Sequence, residues 1–236
     1  MSQRRRPGPR GTLSDQMILD AAQSLLSDGG ARAVTIRGIA ARVGVAPNAV
    51  YTYFPGKAAV QQALVERLLS EVDLDRLTER THPWRQRLQA LALELRTDLL
   101  SHPGAVSLLL SGRMDGPNAL ALRERLLEVF ADAGLTPDDA ARASHVFVTY
   151  ALGSIALEAA QLEHSGPPPP EDERVATRLV GFTAAASDRY PRTAATAAAM
   201  ARYITTEQFL WGLTRVLDGL TRQGSAAHPR GGPTRP

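Results

Sequence analysis

TIRGIAARVGVAPNAVYTYFPGK, residues 35–57, holds two short helices joined by a glycine turn. Thr35 can cap the first, because its side-chain oxygen accepts from a backbone N–H one turn on. That helix runs to Val43, and Gly44 ends it, since the turn needs a left-handed residue. Pro47 suits the first position of the next helix, where a missing N–H costs little. Ala46 before it is pushed out of helical geometry, as a cap position should be, although its methyl caps nothing. Ala40, Gly44 and Val50 give a small residue, a glycine four positions later and an apolar residue six after that. This is helix-turn-helix spacing: Ala40 must be small where the second helix crosses it, and Val43, Val45 and Val50 fill the wedge between the two. On spacing alone a plain three-helix bundle remains the competing reading.

Working outward, the preceding segment ILDAAQSLLSDGG predicts a helix with Ser14 as N-cap and Asp15 at its positive end. Its apolar positions Ile18, Ala21, Ala22, Leu25 and Leu26 follow the helical period until Gly29-Gly30. Residues 1–12 have no such period and are expected to form a disordered basic arm. Residues 13–57 make the head. Downstream, Pro55-Gly56 precedes a fourth helix expected over 57–76. Residues 58–222 then read as further helices without any alternating strand pattern, so the fold class is all-α. The expected segments are one whose face runs from Trp84 to Leu99 and which His102-Pro103-Gly104 ends, a short one near 105–112, then 118–133, 137–163, 172–186, a piece after Pro191, and 205–222. A proline-rich loop at 164–172 interrupts them, because Pro167 to Pro170 cannot be helical. Residues 223–236 are expected to be a disordered tail.

Composition narrows the function. No apolar run approaches the roughly eighteen residues of a membrane span, so a soluble cytoplasmic protein without membrane contact is expected. The absence of cysteine excludes disulfides and thiolate chemistry, and the five histidines form no zinc-binding spacing, so neither metal nor cofactor is expected. No nucleophile–base pair or phosphate loop suggests an enzyme. Within residues 1–57 eight cations (Arg4, Arg5, Arg6, Arg10, Arg32, Arg37, Arg42, Lys57) face three anions (Asp15, Asp20, Asp28). Eight minus three is +5, which leaves −2 of the net +3 for the rest. A basic head on a slightly acidic body suits a polyanion partner at one end.

The run 35–57 resembles the tetracycline-repressor (TetR) family throughout, with T-x-R-x-I-A, G-V and Y-x-Y-F-x-x-K at that family's spacing, and the likeness spans about residues 13–75. The resemblance implies a double-stranded DNA operator, palindromic for a homodimer. It also implies roles for single residues. Arg37 would reach a base or nearby phosphate. Pro47, Asn48 and Ala49 would face the major-groove floor, with Asn48 the base-edge reader and the other two offering apolar contact. Tyr51, Tyr53 and Lys57 would hold phosphates, and Thr35 would donate to one. For Tyr51 and Tyr53 partial core packing is the alternative, and for Arg37 an ordinary solvated helix position. The arm would either enter a minor groove or attract phosphates without specificity.

The body resembles the regulatory domain of the tetracycline repressors more loosely, through Trp84, LLSH (99–102), Gly112-Arg113, Gly153 with Glu158, and FLWGLTRVLDGL (209–220). That likeness implies a pocket for a small-molecule effector of unknown identity. Asp73 and Leu109 stand where two metal–drug histidines are found in that group, and Leu91 and Leu95 replace polar and aromatic positions, so the expected inducer is not magnesium–tetracycline. An apolar pocket with Leu91, Leu95, Leu109 and Leu126 is expected, with Asp73, His102, Arg113 and Glu158 as polar anchors. Core packing competes for the first two leucines, and a helix-end role competes for His102. The long helix and the last one would pair with their copies through Leu152, Ile155, Phe209, Gly212, Leu213, Val216, Leu217 and Leu220, unless that stripe faces its own core. The functional expectation is a repressor released from DNA by an inducer. The alternatives are an activator, or a helical ligand-binding or scaffold protein that does not bind an operator.

Overall fold

The computed structural model describes residues 13–162, 169–184 and 189–222. The expected arm, most of the proline loop and the tail lie outside them. The described residues form helices without a β-strand, an all-α fold.

Helix α1 (Asp15–Ala33) opens under Ser14, whose Oγ accepts from Met17 N at 3.3 Å. Its helical geometry fails at Gly29 and Gly30, and Gly30 adopts φ +67°, so the chain kinks at the expected glycine pair before one more turn. Helix α2 (Ile36–Val43) opens under Thr35, whose Oγ1 accepts from Gly38 N at 3.0 Å. It closes at Gly44, with φ +73°, and Val45 N–H returns to the Ala40 carbonyl at 2.9 Å. Helix α3 (Pro47–Tyr51) starts on its proline. Ile39, Ala40, Val50 and Phe54 are buried between these helices, so the apolar half of the motif forms one small core.

Helix α4 (Lys57–Ser70) is shorter than the 57–76 expected. Asp73 explains the stop. Its carboxylate accepts from Asp75 N two residues on at 3.2 Å, a local turn that competes with helix continuation. The chain restarts as α5 (Asp75–Thr78). Then come α6 (Trp84–Ser101), α7 (Pro103–Ser111), α8 (Pro117–Asp132) and α9 (Pro137–Ala159). α10 (Glu171–Thr183), α11 (Pro191–Ala195), α12 (Ala197–Ala201) and a 3-10 turn (Arg202–Ile204) lead into α13 (Thr206–Arg222).

The body core lies between α6, α8, α9 and α13, around Leu88, Phe130, Phe147, Ile155, Leu213 and Leu217. Beside it sits a buried ion cluster. The Arg96 guanidinium donates through Nε and Nη2 to both Glu158 oxygens at 2.9 and 2.8 Å, and Arg174 Nη1 donates to Glu158 Oε1 at 2.6 Å. Arg96 also reaches Glu171 at 3.0 Å. Two cations and two carboxylates thereby pin α10, which buries no residue of its own, to α6 and α9. Burial pushes the Glu171 carboxyl up, but hydrogen bonds from Thr206 and Arg96 outweigh it and hold the group below its ordinary value. Head and body meet where α7 crosses α1. A Cβ on Gly104 would lie 2.5 Å from the Leu26 carbonyl and 2.9 Å from the Gly30 Cα, so only glycine fits there.

Candidate nucleic-acid interface and effector cavity

Packing the motif core inward leaves a definite set of side chains outside. Thr35, Arg37, Pro47, Asn48, Tyr51 and Lys57 are exposed, Tyr51 by 52%. Ala49 is half-buried. Arg42 differs from Arg37: it bonds Asp28 at 2.7 Å and also Ser24, which ties α2 to α1. Lys57 opens α4, where a cation opposes the positive helix end, and its Nζ lies 3.4 Å from the Ala31 carbonyl, a weak tether to the kink. The Thr35 oxygen already accepts from Gly38, so its proton is what it can offer a phosphate.

Tyr53 departs from the expected clamp. It is half-buried, and its hydroxyl donates to the Leu13 carbonyl at 2.5 Å, holding the start of α1 against the end of α3. The motif holds two tyrosines with different jobs: one latches the head, and one faces out.

A cavity of about 650 Å³ opens between α7, α8 and α9. Leu109, Met114, Leu122, Leu126, Val148 and Leu152 line it and continue into a narrow apolar recess reaching Leu91 and Leu95. All four expected pocket leucines therefore border the cavity or its recess. The four expected polar anchors do not. Asp73 lies in the turn after α4, paired with Arg76 at 2.9 Å. His102 caps the end of α6, with Nδ1 3.1 Å from the Asp98 carbonyl. Arg113 is exposed and held by Asp115 at 2.9 Å. Glu158 is consumed by the ion cluster. The cavity's polar groups are instead Arg123, Ser144, His145 and Thr149. Sequence reasoning missed them, although Ala141, Ser144, His145, Val148, Thr149 and Leu152 recur at helical spacing and share one face of α9.

Most of the expected dimer stripe packs inward within one chain, the alternative that the sequence left open. Ile155, Leu213 and Leu217 are fully buried and Phe209 nearly so, within a single chain. Leu152 turns to the cavity, while Val216 and Leu220 are half-buried. A side chain on Gly212 would run into the Tyr150 hydroxyl, which donates to the Phe209 carbonyl at 2.8 Å, so this glycine serves the contact of α9 with α13 inside one protomer. The stripe residues pack inward because α13 has to cover α6 and α9. The two helices present outward Val146, Leu157, 71% exposed, and Trp211, 57% exposed, the last two around a shallow recess with Tyr150 and Tyr203.

Comparison with known proteins agrees with this architecture. Residues 18–64 match the family model "Bacterial regulatory proteins, tetR family", and residues 78–223 match "Tetracyclin repressor-like, C-terminal domain". An HTH-type transcriptional regulator of Saccharopolyspora erythraea is 32% identical over 146 residues, covering 62% of this chain and 61% of that protein. The HTH-type transcriptional repressor DrrR1 of Streptomyces coeruleorubidus is 28% identical, over 92% of this chain and 81% of its own length. The crystal structure of a possible TetR family transcriptional regulator from Streptomyces coelicolor A3(2) superposes with a TM-score of 0.74 at 30% identity, covering 88% of this chain and 98% of that one. A helix-turn-helix head and a repressor-like helical body in one chain establish that the protein belongs to the TetR family of DNA-binding transcriptional regulators, a family that controls transcription and does not catalyse a reaction.

Proposed function

We propose that the protein is a homodimeric repressor that leaves its operator when a small molecule other than magnesium–tetracycline fills the α7–α9 cavity. The observation that carries this reading is the exposure of Arg37, Asn48, Tyr51 and Lys57 around the buried Ile39–Val50 core. On this reading Asn48 reads a base edge through its amide, and Arg37 reads a base or an adjacent phosphate. Tyr51, Lys57 and the Thr35 hydroxyl hold the backbone. One head covers one half-site, so pairing through the outward Leu157 and Trp211 face would present two heads to a palindrome, whose half-sites lie about 34–36 Å apart in this class of motif.

Release follows from a two-form equilibrium in which effector favours the form with misplaced heads. On this reading helix α4 links the two sites. Glu66 accepts from Asn118 N at 2.7 Å, and its carbonyl accepts from Asn118 Nδ2 at 2.9 Å. Gln62 donates to the Arg113 carbonyl at 2.9 Å. The segment 112–119, which supplies Gly112, Met114 and Ala119 to the cavity, is thus fastened to the helix that begins at Lys57.

The test is a gel shift with the DNA upstream of the chain's own gene, paired with a reporter driven by it. Specific, salt-sensitive retention lost in the Tyr51→Ala/Lys57→Ala double variant is expected, with reporter output rising when the gene is deleted. Reporter output falling on deletion would make the protein an activator. No retention at low salt would make it a scaffold.

A further inference from the structure

The cavity's chemistry is one-sided. Its floor is aliphatic: Leu109, Leu122, Leu126 and Val148. Its polar groups stand on the two facing helices: Arg123 on α8 and His145 and Thr149 on α9 are exposed, while Ser144 on α9 is buried and its hydroxyl donates to the Ala140 carbonyl. None of the lining residues is an aspartate or glutamate. Among the described residues, Arg123 donates through Nη2 only to a neutral acceptor, the Met114 carbonyl at 3.3 Å. Elsewhere in the body Arg87, Arg96, Arg125 and Arg142 each engage a carboxylate. A guanidinium supplies several donors in a planar fork that matches a carboxylate, and its charge persists whatever the pH.

From this asymmetry we infer that the effector is an amphipathic organic anion: an apolar body on the leucine floor, with a carboxylate or equally acidic oxygen held by Arg123 and assisted by His145 and Thr149. The inference rests on the reading that this cavity holds the effector. A cationic ligand meets Arg123 with no carboxylate to answer it. A neutral ligand leaves the fork matched only to a carbonyl. An anion gains charge-assisted hydrogen bonds at the rim while its apolar part is removed from water below, where burial contributes roughly in proportion to area.

Three probes of one shape separate charge from shape: anthracene-9-carboxylate, anthracene-9-carboxamide and 9-(aminomethyl)anthracene, titrated calorimetrically at neutral pH into the full chain. The carboxylate is expected to bind about tenfold or more tighter than the carboxamide, as a hydrogen bond to a charged group implies, with the amine weakest. Arg123→Ala should bring the carboxylate down to the carboxamide's affinity while moving the carboxamide less than about twofold, and Arg123→Lys should retain part of the preference. Thr149→Trp, a substitution at an exposed rim position, should block every probe, and the carboxylate and carboxamide should compete for one site. A carboxamide that competes yet binds as well as the carboxylate, or a preference that survives Arg123→Ala, would overturn the anion assignment and leave the cavity as effector site intact. Binding of no probe, or binding indifferent to Thr149→Trp, would overturn the cavity reading and this inference with it.

Discussion

Lys57→Ala separates a residue that holds DNA from one that holds the fold. Lys57 is exposed at the first position of α4, its only tether among the described residues is a 3.4 Å contact to a carbonyl, and its charge opposes the helix dipole. Its removal should therefore alter stability by no more than about 0.5 kcal/mol in either direction. On duplex DNA each neutralised phosphate steepens the plot of log K against log salt by about 0.9. A symmetric dimer presents Lys57 twice, so the variant should flatten that slope by about 1.8. Tyr51→Phe is the control. Its hydroxyl is neutral, so affinity should fall by about 0.5–1.5 kcal/mol per half-site with the slope unchanged. Fluorescence anisotropy on the operator between about 0.05 and 0.3 M salt, a window in which such slopes are large, reads both variants, and thermal melting reads the fold. A slope flattened by less than about 0.5 for Lys57→Ala, against the expected ~0.9 per contact, would refute the phosphate assignment. So would a drop in Tm of several degrees, because it would show the lysine working on the fold.

Glu158→Ala leaves Arg96 and Arg174 buried without their shared carboxylate and should cost about 3–5 kcal/mol, whereas replacing all three together, Arg96→Met, Glu158→Leu and Arg174→Met, should recover most of it; chemical denaturation checks both. Glu171 has a folded pKa below its ordinary 4.5, so its contribution is fully present above that value and fades as pH falls through the lower folded value; the stability gap between wild type and Glu171→Gln, followed by melting, should be constant near neutrality and close in acid. Leu157→Glu with Trp211→Glu should yield monomers by light scattering that melt like wild type yet bind a palindrome poorly, and a dimer of unchanged mass would remove the proposed face. Glu66→Gln should leave operator affinity without effector nearly unchanged and weaken the effector's ability to lower it, measured as the ratio of operator affinities with and without a bound probe.

The head was nearly all legible because local rules govern it: caps at Ser14 and Thr35, a positive-φ glycine at 44 and a proline at 47 act within four residues of themselves. For Tyr53 the choice between clamp and core packing stayed open in the sequence, because its partner, the Leu13 carbonyl, lies forty positions away and no local rule reaches that far. Asp73 marks a different failure. Apolar periodicity carried the fourth helix onward, while a side chain able to bond its own backbone stopped it. In the body the helices could be read but not their facing. Phe209, Leu213 and Leu217 form an apolar stripe whether they meet a second copy or their own α6 and α9, and periodicity is identical in the two cases. Arg96 was within reach: it occupies the buried ladder Leu88–Ala92–Arg96–Leu100 at four-residue spacing, where a cation demands buried carboxylates, and Glu158 answers it from another helix.

The coupling between cavity and head can be weighed against what release requires. A hundredfold loss of operator affinity needs about 2.7 kcal/mol of differential effector binding. The Asn118–Glu66 contact contains one hydrogen bond to a carboxylate and one between neutral groups, which together are worth about 2–4.5 kcal/mol. On the proposed reading, an effector that strained segment 112–119 would have a link of matching size through which to act on α4. Gly112 and Gly116 tighten the joint, because a side chain on the first would strike Val65 and on the second Glu66, both on α4. At the other end of α7, Gly104 rests on the α1 kink with no room for a methyl group. A displacement of α7 is delivered to α1 there, because close-packed surfaces pass movement on instead of absorbing it. On the proposed reading the two glycine joints would give the cavity two routes to the head, one through α4 to Lys57 and one through α1 to the turn whose carbonyl makes that lysine's weak contact.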